Sequence, residues 1–217
     1  SARLLPRAPL PRERGGVPLD FTAIDFETAN SSSASACAVG LIRVRAGRVV
    51  ARAGWLIKPP PGHNEFLPFH TGIHGIFEED VADAPGWSEQ LDRLSAFAGA
   101  DVLVAHNAGF DMSVLKRACA ATNDECPPYS YLCTLQLARV AYDLDSYRLP
   151  SAAAAAGFGP FPHHNATADA EACAHIVIDA ARRHGINDIT ELAASTSVRI
   201  SQIRVDAPAA TPAIVAA

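Results

Sequence analysis

Three apolar stretches carry the first clear pattern along the chain. Residues 20–26 ("DFTAIDF"), 36–45 ("ACAVGLIRVR") and 48–57 ("RVVARAGWLI") are rich in β-branched and apolar positions. The last two are joined at "RAGR", where Gly47 marks a tight turn, so the three predict an antiparallel meander. Residues 59–76, "PPPGHNEFLPFHTGIHGI", read as a long irregular loop. Trp87, Leu91, Leu94 and Ala98 then recur at helical spacing after a start signal at "DAP". Beyond them the pattern predicts a short buried strand at 101–106 and a helix at 110–122. A strand near 131–134, helices at 135–144 and 151–158, and a long helix from about Ala166 to Arg183 follow. A meander leading into alternating strands and helices predicts an α/β fold, a mixed central β-sheet flanked by helices.

Four acids break this pattern. Asp25 and Glu27 stand in the first strand two residues apart, so both project from one face with their Cα atoms about 6.6 Å apart. Asp111 shares a helical face with Val114, Leu115 and Ala118, and Asp169 with Cys173, Ile176 and Ala180. A surface acid would sit opposite the apolar stripe, whereas these two sit on it. Each has an ordinary alternative: Asp in a first helical turn suits the helix dipole, and an acid pair in a strand serves at edges or in ion pairs. Together they predict convergence, which raises carboxylate pKa values unless cations intervene. An all-oxygen set suits Mg²⁺ or Mn²⁺, and two such ions are the standard device for phosphodiester hydrolysis.

Composition narrows the rest. The 49% hydrophobic and 19% charged content is that of a globular domain, and no apolar run approaches the ~20 residues of a membrane span. The basic N-terminus lacks the apolar core of a signal peptide, and the expected location is cytoplasmic. Five cysteines are scattered without a C-x-x-C pair, and Pro127 and Pro128 interrupt the even spacing of Cys119, Cys126 and Cys133; buried thiols are the expectation. The net charge of −5 argues against bulk electrostatic binding of nucleic acid, but falls to about −1 with four acids assigned to metal, leaving room for a local basic track.

"IDFETA", "VAHNAGFDMSVL" and "HHNATADAEA", in that order, resemble the three motifs of the DEDDh 3′–5′ exonucleases, the group containing the proofreading epsilon subunit of bacterial DNA polymerase III. "IHGI" with "EDVADAP", and "CTLQLAR", are similar to that family's intervening segments, and the resemblance covers about residues 20–183. It implies an RNase H-like fold and two Mg²⁺ (or Mn²⁺) held by Asp25, Glu27, Asp111 and Asp169. It also implies a general-base histidine five residues before the last Asp, which is His164. His163 lies out of register, and Asn165 occupies the place where a sister subgroup carries Tyr. Thr28, Ala29, Ile73, His74 and Phe110 match positions that meet the terminal nucleotide, with core packing the alternative for Phe110. His63, His70, His175 and His184 read as surface residues, and His106 as a packing residue.

The resemblance implies removal of nucleoside 5′-monophosphates from single-stranded or frayed 3′ ends in proofreading or repair. DNA is expected ahead of RNA as the nucleic-acid partner, and a polymerase or another replication or repair protein is the candidate protein partner. The alternatives are an exoribonuclease and a non-catalytic module of the same fold. The expected organisation is a flexible basic arm at 1–18, the exonuclease domain at 19–200, and a Pro/Ala-rich tail or linker at 201–217.

Overall fold

The computed structural model describes residues 19–204, so the expected arm and residues 205–217 lie outside the described residues. The meander forms as the pattern requires: β1 (Phe21–Thr28), β2 (Ala36–Arg45) and β3 (Arg48–Leu56) pair antiparallel. The β2–β3 turn consists of Ala46 and Gly47 with φ of 50° and 71°, the left-handed pair that fits a two-residue hairpin. β1 then pairs in parallel with β4 (Leu103–Ala105), and β4 with β5 (Ser130–Cys133). A two-residue β6 (Ser201–Gln202) closes the order β3-β2-β1-β4-β5-β6. The last described strand therefore lies past the boundary expected at residue 200. It is held there by pairing to β5 and by the Ile203 N–H donating to the Tyr129 carbonyl at 2.9 Å.

Seven α-helices cover the sheet among the described residues. α2 (Trp87–Ala98) and α3 (Gly109–Thr122) pack on Ile24, Phe26, Leu41 and Leu103. α4 (Thr134–Ala141), α5 (Leu149–Ala155), α6 (Ala166–His184) and α7 (Ile189–Thr196) pack on the opposite face, on Phe21, Ala23, Ile42 and Val104. Strand alternation puts Asp25 and Glu27 on that second face, in line with Phe21 and Ala23. The expected loop at 59–76 instead contains a helix, α1 (Pro68–His74), started by Pro68 and stopped by Gly75 at φ 72°. Only Thr71 of this helix is buried, so it has no apolar stripe to betray it. α7 and β6 were likewise not expected. None of the helices among the described residues is long and apolar enough to cross a membrane.

Two glycines let α6 settle on the sheet. A Cβ on Gly40 would lie 2.1 Å from the Ala166 carbonyl oxygen, and one on Gly54 would lie 2.2 Å from Thr167 Oγ1. Gly40 is the cross-strand partner of both Asp25 and Gly54. The first turn of α6 is thus pressed against the part of β1 that carries the acids. Asn165 caps this helix, its side chain accepting from the Ala168 N–H at 3.1 Å.

Candidate active site

The acids expected to converge do so at the C-terminal end of β1. Carboxylate oxygens of Asp25, Glu27 and Asp169 lie within 4.8 Å of one another. A register irregularity between Glu27 and Thr28 bends the strand at this point, as bulges beside functional sites do. Asp111 reaches the cluster from the first turn of α3 and is only 1% exposed, its Oδ1 accepting from the Phe26 N–H at 3.0 Å. It lies behind the cavity floor rather than on it.

Burial and mutual repulsion dominate the electrostatics. Burial, then the charges of Asp111, Glu27 and Asp169, push Asp25 well above the carboxylate range. Burial, then Asp169 and Asp111, push Glu27 up to about 8. Burial raises Asp111 to about 7, against the lowering effect of the Phe26 N–H. Even nearby thiols respond: burial and Glu27 lift Cys37 to about 12, and burial and Asp25 raise Cys173. Carboxylates this close, with hard oxygen donors and no thiolate among them, fit a divalent cation, which would remove the repulsion that adds to burial in these shifts.

The loop before α6 places two histidines beside Asp169. His164 adopts a left-handed backbone, φ 66°, and its N–H donates to Asp169 Oδ2 at 3.0 Å. The ring that meets Asp169 belongs to His163, whose Nδ1 lies 2.9 Å from Oδ2 and 3.0 Å from Oδ1. The two imidazoles stack with centroids 3.8 Å apart, and both line the cavity. Burial and the neighbouring His163 hold His164 below its ordinary pKa, partly offset by Asp169. His163, set aside on spacing, is thus a neighbour of the cluster. A left-handed backbone at the intervening residue puts the sixth position back within reach, which residue counting does not register.

The cavity above the acids is about 710 Å³. Thr28, Ile73, His74 and Phe110 line it as expected. Ile73 is 40% and Phe110 43% exposed, so Phe110 is a wall residue and not core. The His74 Nδ1 accepts from the Ile76 N–H at 3.0 Å, leaving Nε2–H to donate to the Thr28 carbonyl at 3.1 Å; burial lowers its pKa. Ala29 is the exception. Its side chain is fully buried, its N–H donates to Ser35 and its carbonyl accepts from Leu67, so it offers nothing to a ligand. His70, expected on the surface, lines the cavity 3.5 Å from Thr28 Oγ1. His106 also lines it, locked between Thr134 Oγ1 at 3.0 Å and the Tyr147 carbonyl at 2.8 Å. Arg139, Tyr147 and Arg148 complete that side; Arg139 ends the "CTLQLAR" segment, but none of the three was expected at the site, since only the fold brings them to the rim.

Comparison with known proteins supplies an independent reading. The profile of the exonuclease family RNase_T matches residues 22–177. A DNA polymerase III of PolC type from Thermotoga maritima is 29% identical over 180 residues, covering 79% of this chain. The chain spans only 13% of that relative's length. Among solved structures, Exonuclease X in complex with 5′-overhanging duplex DNA is similar at 26% identity and TM-score 0.65, over 81% of this chain and 99% of that one. The nuclease domain of 3′hExo, a DEDDh family member bound to rAMP, shares the fold at 13% identity and TM-score 0.68, over 86% of this chain and 98% of that one.

Proposed function

The chain belongs to the RNase_T exonuclease family, and we propose that it is a 3′–5′ exonuclease that releases nucleoside 5′-monophosphates from single-stranded or frayed DNA 3′ ends, in proofreading or repair. The observation that carries this reading is the meeting of Asp25, Glu27 and Asp169 within 4.8 Å on the floor of a cavity.

In this reading Asp25, Glu27 and Asp169 would hold two divalent cations, Mg²⁺ or Mn²⁺, with Asp111 completing the set. Such cations, when bound, would supply Lewis-acid activation of the attacking water and neutralise charge on the phosphate. Ile73 and Phe110 offer apolar surfaces to the terminal base and sugar, while the locked His74 and Thr28 fix the wall between them. His164 accepts the proton of the attacking water once its ring turns toward the floor in place of His163. The water oxygen bonds to phosphorus, the bond to the 3′-oxygen of the preceding nucleotide breaks, and that oxygen leaves to be protonated by solvent. A histidine held below its ordinary pKa is neutral near pH 7 and therefore competent as a base.

DNA is placed ahead of RNA because the matched relative is a DNA polymerase, and the same match makes a polymerase the candidate partner, in a cytoplasmic setting. An exoribonuclease is the second reading, favoured by the rAMP in a structural neighbour. A non-catalytic module does not fit a member of this family with all four acids in place. The test is side-by-side digestion of DNA and RNA 5-mers with free and blocked 3′ ends in Mg²⁺ or Mn²⁺. Monophosphates released from free DNA ends are expected. Equal cleavage of blocked ends, or no product from any substrate, would overturn the proposal.

A further inference from the structure

A second groove of about 670 Å³ lies between the outer face of α3 and the β5–β6 edge. Lys116, Arg117, Arg199 and Arg204 line it, and no Asp or Glu does among the described residues, in a chain whose net charge is −5. Elsewhere the fold occupies its arginines. Arg45 pairs with Asp101, Arg52 with Glu171, and Arg182 and Arg183 with Asp179, while Arg43 and Arg93 lie over aromatic rings. Arg117, Arg199 and Arg204 are exposed and make no ion pair among the described residues, and the same holds for Arg139 and Arg148 at the active cavity. With Arg48 of the hairpin turn aside, the arginines left unpaired in the described fold line one of these two concavities.

The two are neighbours. Asn107 and Phe110 line the active cavity and Gly109 lines the groove, so the first turn of α3 is the ridge between them. Gly109 leaves open space where a side chain would stand. From Gly109 to Arg117 is about 12 Å along the helix, room for more than one phosphate of an extended single strand. Tyr131, partly exposed in the groove, offers a ring face for a base.

Resting on the exonuclease reading above, we propose that this groove carries the phosphate backbone of the substrate strand upstream of the terminal nucleotide. The contact is with phosphate, so it does not depend on base sequence or on the sugar. It gives a net-acidic protein a local basic track for a long strand.

The test is the variant R117Q/R199Q/R204Q, assayed as the ratio of kcat/KM on a 12-mer to that on a trinucleotide across 50–200 mM salt. Three lost contacts should lower that ratio by about tenfold and make the log–log salt slope shallower by about 2. The charge-keeping variant R117K/R199K/R204K should retain the wild-type ratio. Binding of 12-mer DNA and RNA in EDTA, followed by anisotropy, should weaken alike for both in the Gln variant. A ratio and slope equal to wild type, or a loss confined to one sugar, would overturn the groove. Failure of the wild-type protein to cleave even the trinucleotide would instead overturn the catalytic reading, and the EDTA binding arm would still decide the groove.

Discussion

Glu27→Gln should stabilise the metal-free protein at alkaline pH while removing its activity. The side chain keeps its shape and loses a charge that burial, Asp169 and Asp111 all disfavour. Below pH 4.5 folded and unfolded chains both hold the Glu27 proton, so the site costs nothing. Between 4.5 and about 8 only the folded chain holds it, and stability falls as pH rises. Above about 8 the penalty is complete, about 5 kcal/mol at 1.36 kcal/mol per pH unit, and relaxation with water entry brings it to roughly 2–3 kcal/mol. For a domain of this size that is a rise in Tm of about 5–10 °C for the variant over wild type. The assay is thermal melting of both proteins in EDTA from pH 5 to 9. Subtracting the two curves removes the titrations that Glu27 does not influence; Asp25, which the Glu27 charge helps to raise, titrates together with it, so the difference reports the pair. Saturating Mg²⁺ should reverse the order, since only the wild type keeps the full ligand set and gains from binding. A variant that melts at or below wild type in EDTA at pH 8.5 would refute the view that repulsion among these acids is what a cation relieves.

Three further outcomes are expected. His164→Ala should lower kcat on a 3′-labelled oligonucleotide by about 10²–10⁴-fold, whereas His163→Ala should stay within a few-fold of wild type; equal losses would mean that the ring now on Asp169 is the base. Gly40→Ala, whose new methyl would overlap the Ala166 carbonyl, should cost about 3 kcal/mol or more in a urea melt and depress activity with it. Asp179→Ala, remote from the cavity, should cost about 1–2 kcal/mol at pH 7 by leaving the Tyr142 hydroxyl unpaired and freeing Arg182 and Arg183, with normal specific activity. Burial would raise Asp179, but its bonds to Arg183, Arg182 and Tyr142 hold it below the ordinary carboxylate value. The Asp179 contribution is therefore present above pH 3.8 and fades only as pH falls through that lowered value.

What could be read from the chain depended on whether the physical cause was local. The meander was legible because alternation and the Ala46–Gly47 turn are properties of adjacent residues. The inward turn of Asp111 and Asp169 was legible because helical spacing puts each on a stripe that proves fully buried, Val114, Leu115 and Ala118 for one and Cys173, Ile176 and Ala180 for the other. α1 was not, because it buries only Thr71 and is held by its proline start and glycine stop. β6 was not, because two residues carry no period and their pairing partner lies some seventy positions away. Ala29 shows the limit of motif adjacency: it follows Thr28 directly, yet past the register irregularity at Glu27 and Thr28 the chain leaves the strand, and Ala29 is buried between Ser35 and Leu67 while Thr28 lines the cavity.

The site also explains the small residues that surround it. A carboxylate on a strand and a carboxylate on a helix packed over that strand are ordinarily held apart by the side chains between the two layers, since helix and sheet pack with a full interdigitating layer. Here Gly40 and Gly54 remove that layer beneath the first turn of α6, and Ala166 and Ala170 keep the helix side thin. Asp169 can then approach Asp25 and Glu27 closely enough to share an ion. The same closeness raises the pKa values of Asp25 and Glu27 and strains the metal-free state. A bulkier residue at position 40 would let the acids move apart and relieve that strain, but it would also dissolve the geometry that gives them a use. The unfavourable electrostatics and the glycine pair are therefore one feature: a fold that spends packing on bringing like charges together makes sense only around a ligand of opposite sign.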